Sequence, residues 1–307
     1  MEIYLDNCAT TKVCTEAANA CLKAMTEQYG NPSSLHKKGV EAENILSAAR
    51  KTAASILNCD PDCIIFTSGA TESNNMAILG GTAARKRDGK TIVTSSVEHA
   101  SVEQAAAHLE KQGYTVKRVL PRADGNFDAD DFINAVDEDT VLLTFMMVNN
   151  ELGSVFPYDT VIPALRRKYP KLLIHIDAVQ GFTKFPLNVR KIDADLISFS
   201  GHKLYAPKGI GGLYVKKGVR MEPIIYGGSQ ERTLRSGTQA VPLIAAFDEA
   251  LKLCRDNGTQ FTETYRFCNH YLRQAFQNMP EVVVNSPENP SPHLLNISIP
   301  GIPSEIM

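Results

Sequence analysis

Short apolar runs that end in a small or polar residue, each giving way to a stretch of helical periodicity, constrain this chain more than any other feature. They are Cys63-Ile-Ile-Phe-Thr67, Thr91 to Ser95, Thr115 to Leu120, Thr140 to Val148, Leu172-Leu-Ile-His-Ile-Asp177, Ala194-Asp-Leu-Ile-Ser-Phe-Ser200 and Gly211 to Lys216. Helices are expected at Thr15 to Gln28, Val40 to Leu57, from Thr71, Ser101 to Gln112, Asp128 to Val136 and Asp159 to Lys168. In the first, Thr15 is the expected cap and Ala18, Leu22 and Met25 the apolar stripe. In the second, Leu46, Ala49, Ala53, Ile56 and Leu57 share a face. Strands alternating with helices predict an α/β fold, a mostly parallel sheet with helices on both faces. Ligands of such sheets bind in the crevice beyond the carboxyl ends of the strands.

One strand end carries a distinctive sequel. Ser200-Gly-His-Lys-Leu-Tyr-Ala-Pro-Lys-Gly-Ile-Gly212 places Lys203 between a histidine and a glycine-rich turn. An amine attacks an aldehyde only when neutral, and the end of a buried strand disfavours its charge. The aldehyde this points to is pyridoxal phosphate, which also needs a carboxylate for its ring nitrogen, donors for its phosphate and a flat partner for its ring. Asp177, ending its strand, is the candidate carboxylate. A lone strand-end aspartate is more often a cap or a solvated residue, and the lysine motif reverses that weighting. For the phosphate, Ser68-Gly-Ala-Thr-Glu-Ser-Asn-Asn75 follows a strand and opens a helix, so Ala70 and Thr71 offer free N–H groups and the positive end of the dipole. No P-loop lysine signature and no Gly-x-Gly-x-x-Gly element after a first strand is present, which disfavours nucleotides.

Eight ordered blocks carry a resemblance. They are Leu5-Asp-Asn-Cys-Ala-Thr-Thr11, Tyr29-Gly-Asn-Pro-Ser-Ser-Leu-His36, Phe66-Thr-Ser-Gly-Ala-Thr-Glu-Ser-Asn74, Ser96-Val-Glu-His99, Val148-Asn-Asn-Glu151, His175-Ile-Asp-Ala-Val-Gln180, Ser198-Phe-Ser-Gly-His-Lys203, and Gly227 to Arg232 with Arg235-Ser-Gly-Thr238. Together they resemble cysteine desulfurases of the NifS/IscS type, within the class V aminotransferase family, from Met1 to the last residue. The resemblance implies the PLP-dependent transferase (type I aminotransferase) fold. It also implies Lys203 as the Schiff-base lysine and proton shuttle, and Asp177 at the ring nitrogen. His99 would stack on the ring and assist proton transfer. Asn150 and Gln180 would meet the ring hydroxyl, and Ala70, Thr71, Ser200 and His202 the phosphate. Thr238 would reach in from a second subunit, which implies a homodimer. L-cysteine would yield L-alanine and an enzyme persulfide, whose sulfur passes to an iron–sulfur scaffold or a thiolation enzyme. A selenocysteine lyase or aminotransferase of the same fold, or a non-catalytic sulfur-transfer scaffold, are the alternatives.

The departure lies toward the carboxyl end. The family's sulfur-accepting cysteine loop and its substrate-carboxylate arginine fall beyond Met307. The chain is therefore expected to be a carboxyl-truncated desulfurase, inactive in sulfur transfer, with Ser304 capping a helix whose body is missing. None of the seven cysteines replaces the lost thiol: Cys14 and Cys21 are expected to pack, and Cys59 and Cys63 lack a second pair of metal ligands. Cys254 and Cys268 fall in a long helical region, and Cys8 lies near the cofactor region by resemblance.

The expected domains are an amino-terminal segment at 1–14 joining the small domain, a large cofactor-binding domain at 15–241, and an incomplete small α+β domain at 242–307. The last holds a long helix from Pro242, then strands at Val282 to Asn285 and Leu294 to Ile299. A net charge of −2 gives no electrostatic reason to bind nucleic acid or membrane, and no apolar stretch reaches membrane-span length. An odd cysteine count and no leader segment suggest a reducing cytoplasm. No metal is expected.

Overall fold

The computed structural model describes residues 3–306, so Met1, Glu2 and Met307, which fall in the expected terminal segments, lie outside it. The first half runs α1 (Thr15–Thr26), α2 (Lys37–Leu57), β1 (Ile64–Thr67), α3 (Ala70–Asn75), a π turn (Met76–Gly80), α4 (Gly81–Ala83), β2 (Thr91–Ser95), α5 (Ala100–Lys111), β3 (Thr115–Val119) and α6 (Ala129–Ala135). The second half runs β4 (Thr140–Met146), α7 (Tyr158–Lys168), β5 (Leu173–Asp177), α8 (Val189–Ile192), β6 (Leu196–Ser200), β7 (Gly211–Val215), α9 (Val241–Gln277), β8 (Val283–Val284) and β9 (Ile297–Ser298).

β1 to β7 form one sheet in the order β1-β7-β6-β5-β4-β2-β3. β2 through β6 pair in parallel, whereas β7 runs antiparallel to both its neighbours, β1 and β6. The reversal follows from connection length: residues 201–210 are too few for a crossover, so the chain turns back beside β6. Because successive strand residues face opposite ways, the sheet supports two cores. Ile64, Phe66, Leu143, Phe145, Ile174, Ile176, Ile197 and Phe199 pack against α2, α7 and α9, led by Leu46, Leu165 and Phe247. Ile65, Leu142, Leu173, Leu196 and Leu213 face the other way, onto Met76, Ile78, Val102 and Leu109. Helices on both faces of a mostly parallel sheet is the α/β class expected from the strand pattern.

Differences from the sequence expectation have local causes. Thr15 does not cap α1: Cys14 occupies the N-cap without a side-chain hydrogen bond. The stripe Ala18, Leu22 and Met25 faces solvent, with Leu22 57% and Met25 53% exposed. Ala17 and Ala24 are the buried residues instead. α1 packs along α9, Ala17 belongs to the core cluster that holds Val241, Ile244 and Phe247 of α9, and small side chains on a buried face let two helices approach closely. The helix after β1 starts at Ala70 and is interrupted by the π turn, where a Cβ on Gly80 would come within 2.3 Å of the Glu222 carbonyl oxygen. The carboxyl-terminal strands are shorter than expected, two residues each, paired antiparallel. Ser304 does not cap a helix but begins a 3-10 turn, Ser304–Ile306. Among the described residues, no helix is long and apolar enough to cross a membrane.

Candidate active site

A cavity of about 670 Å³ opens at the carboxyl ends of β1, β4, β5 and β6. Nine of the ten expected site residues line it: Ala70, Thr71, His99, Asn150, Asp177, Gln180, Ser200, His202 and Lys203. Thr238 is exposed and is not among the residues lining this cavity.

The anion-binding end is built by the turn from β1 into α3. Gly69, with φ +150°, takes a backbone conformation that L side chains rarely adopt, and it sits beside Ser200 Oγ. The first N–H groups of a helix have no intrahelical partner, and those of α3 begin at the lining residues Ala70 and Thr71. Glu72 folds back over the turn. Burial pushes its carboxyl up, but hydrogen bonds from Arg235 (Nε to Oε1, 2.8 Å) and from the Ser68 N–H (2.7 Å) outweigh that and hold it below the usual carboxylate range. Arg235 is thereby assigned to an internal ion pair, while Arg232 pairs with Asp62 at the surface.

Asp177 ends β5, 5% exposed. Its Oδ1 accepts the Val179 N–H at 3.0 Å and its Oδ2 accepts Asn74 Nδ2 at 2.7 Å. Burial raises its pKa, and these two hydrogen bonds, with His99 and Lys203 nearby, pull the other way. Behind it, burial lifts Glu98 to about 8, and the Asp177 charge adds to the shift.

Lys203 closes the 3-10 turn that follows β6, and its Nζ donates to the Cys8 carbonyl. Burial lowers its pKa, opposed by Cys8, Asp6 and Asp177. Burial, with the Lys203 charge adding, takes His202 down to about 4. The amino-terminal segment is stitched to this turn: the Thr11 N–H and Oγ1 both donate to the His202 carbonyl, at 2.8 and 3.0 Å. His99 is the N-cap of α5 and accepts the Ser101 N–H at Nδ1, 3.1 Å away. Gln180 donates to the Cys8 carbonyl at 3.0 Å, and its Oε1 lies 3.4 Å from Nε2 of His293. Asn150 takes its place from the Asn149 turn, in which Asn149 Oδ1 accepts the N–H groups of Glu151 and Leu152.

The arrangement supplies an amine, a buried carboxylate, an imidazole and an anion cradle around one volume. That set can hold a flat aldehyde carrying a phosphate. Sequence reasoning missed Asn74, Ser101, Lys208 and His293. Asn74 sits inside one of the quoted blocks, but only the folded contact to Asp177 distinguishes it from its neighbour Asn75. Cys8 lines the cavity as expected by resemblance, with its thiol pKa raised by burial. Cys59 is pushed up to about 12 by burial, beside Cys63. Among the described residues, no group of three or more His, Cys, Asp or Glu side chains is placed to hold a metal ion.

Known proteins are similar to this chain over nearly its whole length. A cysteine desulfurase IscS of Methanosarcina thermophila is 37% identical over 96% of this chain and 72% of its own length. A mitochondrial cysteine desulfurase of Candida maltosa is 39% identical over 99% of this chain, which spans 63% of that relative. Among solved structures, a NifS-like protein superposes with a TM-score of 0.95 at 35% identity, covering 98% of this chain and 83% of its own. DndA from Streptomyces lividans superposes at 0.88 with 36% identity, covering 99% and 86%. The Aminotransferase class-V family matches residues 3–307. With the match extending over every element that builds the cavity, the chain belongs to the class V aminotransferase family.

Proposed function

We propose that this chain carries the pyridoxal phosphate site of a cysteine desulfurase, in which L-cysteine becomes L-alanine as its sulfur passes to an acceptor cysteine thiol and leaves it as a persulfide. The observation that carries the reading is the convergence of Lys203, Asp177 and His99 on the cavity that also contains the Ala70–Thr71 turn. The donor set fits the cofactor. Asp177 presents a buried carboxylate whose two oxygens already accept hydrogen bonds, and Gly69 keeps the anion end free of a side chain.

Bound there, pyridoxal phosphate supplies an aldehyde and an electron-withdrawing ring. Asp177 would hold the proton at the ring nitrogen, and its burial would strengthen that charge pairing. Lys203 would be the amine that holds the aldehyde and the base that moves the substrate's α-proton. His99 would support the ring and assist proton transfer. Asn150 and Gln180 would meet the ring hydroxyl, with Gln180 braced by the Cys8 carbonyl. Ser200 and His202 would join the phosphate turn, where burial pushes the His202 imidazole pKa down and a bound phosphate would pull it back up.

Thr238 would complete the phosphate site of a second copy, which makes the working unit a homodimer. The amino-terminal segment, a large unit at 15–241 and a smaller unit at 242–307 are the proposed divisions of the chain. Relatives named cysteine desulfurase IscS and a solved NifS-like protein support a sulfur-supplying role, and an iron–sulfur scaffold or a thiolation enzyme is the proposed destination of the sulfur. A cytoplasmic or organellar matrix location suits both.

The test is the visible absorption spectrum of the purified chain with pyridoxal phosphate, before and after L-cysteine, with borohydride trapping and peptide mapping. A cofactor adduct on Lys203, lost in Lys203→Ala, is expected, and alanine release from L-cysteine by a version extended to carry the sulfur-accepting cysteine loop would set the reading apart from selenocysteine-specific lyases and aminotransferases. A folded chain that takes up no cofactor, or an adduct on another lysine, overturns it.

A further inference from the structure

The side chain of Asn74 lies wholly inside the protein, at 0% exposure, behind the cavity wall. Its Nδ2 carries two hydrogens, and both are committed: one goes to Asp177 Oδ2 at 2.7 Å, the other to Ser101 Oγ at 2.8 Å. Among the described residues, its Oδ1 has no partner. Turning the amide over would set that oxygen against the Asp177 carboxylate, two acceptors face to face, so the orientation is fixed by its neighbours. Ser101 Oγ, having accepted from Asn74, has its own hydrogen left to give, and His99 Nδ1 lies 2.8 Å away. The Ser101 N–H reaches the same nitrogen at 3.1 Å. Nδ1 therefore receives two donors, and the proton of the neutral ring sits on Nε2.

We propose that Asn74 is a positioning residue that governs two groups of the site at once, keeping Asp177 Oδ2 an acceptor and, through Ser101, fixing His99 with its proton on Nε2. This rests on the pyridoxal phosphate reading of the cavity. Asp177 and His99 meet different parts of a bound ring, its nitrogen and its face, and one amide with two hydrogens sets both. The unpaired Oδ1 is consistent with that assignment. A buried amide is normally satisfied at every atom, and this one leaves its acceptor empty while spending both donors on the site. Asn74 touches neither substrate nor cofactor, since it lies outside the cavity lining.

The experiment compares the full chain with Asn74→Leu, which preserves volume without donors, with Ser101→Ala, and with Ser101→Thr, which keeps the hydroxyl. Long-range proton–nitrogen NMR on histidine-labelled, cofactor-free protein reads the His99 tautomer, and titration with pyridoxal phosphate reads affinity and the position of the absorption band. The parent chain is expected to show Nε2–H at His99. Asn74→Leu is expected to bind the cofactor at least roughly tenfold more weakly, with a displaced band. Ser101→Ala should perturb the His99 nitrogen signals, and Ser101→Thr should restore them. If Asn74→Leu does not fold, the Ser101 pair decides alone. A parent His99 protonated on Nδ1, or folded Asn74→Leu and Ser101→Ala chains matching the parent in band, affinity and nitrogen shifts, overturns the proposal. A parent chain that binds no pyridoxal phosphate defeats the functional reading instead and leaves the tautomer result to decide the Asn74 contact.

Discussion

The carboxylate of Glu231, 4% exposed, accepts the main-chain N–H of Phe66 at 2.8 Å and pairs with Arg50. It thereby fastens the loop after β7 to the strand that leads into the Ala70 turn. The loop holds three successive non-glycine residues with positive φ, Glu231 at 43°, Arg232 at 59° and Thr233 at 67°, a conformation kept only where surroundings enforce it. Glu231→Ala leaves the buried Phe66 N–H without its acceptor and the part-buried Arg50 without its carboxylate. A loss of about 3–5 kcal/mol is expected, measured by urea unfolding followed by circular dichroism.

Asp177→Asn keeps the shape of the site and the contact with the Val179 N–H, but removes the charge. Cofactor uptake is expected to survive while the L-cysteine-dependent spectral change slows by about a hundredfold or more. Stopped-flow absorbance on cofactor-loaded protein measures the ratio.

Glu98 sets a pH dependence of a definite sign. Its folded pKa, about 8, lies above its ordinary value of 4.5, so the folded state binds the proton more tightly than the unfolded chain does. The stability tied to that proton is full below pH 4.5 and is lost as pH rises through about 8. Glu98→Gln, which imitates the protonated carboxyl, is expected to flatten this decline, giving a relative gain of about 2–5 kcal/mol above pH 8. Thermal melts of the two chains between pH 5 and 9 show whether the curves diverge.

The α1 packing is tested by placing bulk on its two faces. Ala17→Leu overfills the contact with α9 and is expected to cost about 1–3 kcal/mol, whereas Leu22→Ala on the exposed face changes stability by less than about 0.5 kcal/mol. Equal effects at the two positions would show that the face assignment is wrong.

The strands and the residues at their ends were legible because each signal is local. An apolar run such as Leu196–Ser200 has few alternatives to a buried strand, and Lys203 three residues on announces its chemistry by type. The face of α1 was not legible. Leu22 and Met25 look like core in a list of hydropathies, and only the small-residue requirement at α9 sends Ala17 and Ala24 inward in their place. The direction of β7 was equally hidden, since Gly211–Val215 has the same composition whichever way it runs. Asn74 and His293 escaped for a third reason. Their meaning lies in partners far along the chain, Asp177 and Gln180, and no spacing rule links such distant positions.

The place of β1 in the sheet bears on how the protein emerges from the ribosome. β1 hydrogen-bonds within the sheet to β7 alone, the last strand of that sheet to be synthesised. Until Gly211–Val215 leaves the exit tunnel, Ile64–Thr67 has no sheet partner and the turn at Ala70 has no rigid support. Every strand made in between can find its neighbour earlier. The nascent chain thus carries an unmatched apolar strand while all five intervening strands of the sheet are made, a segment suited to holding by a chaperone. The cavity acquires its shape only when the first strand is locked beside the last.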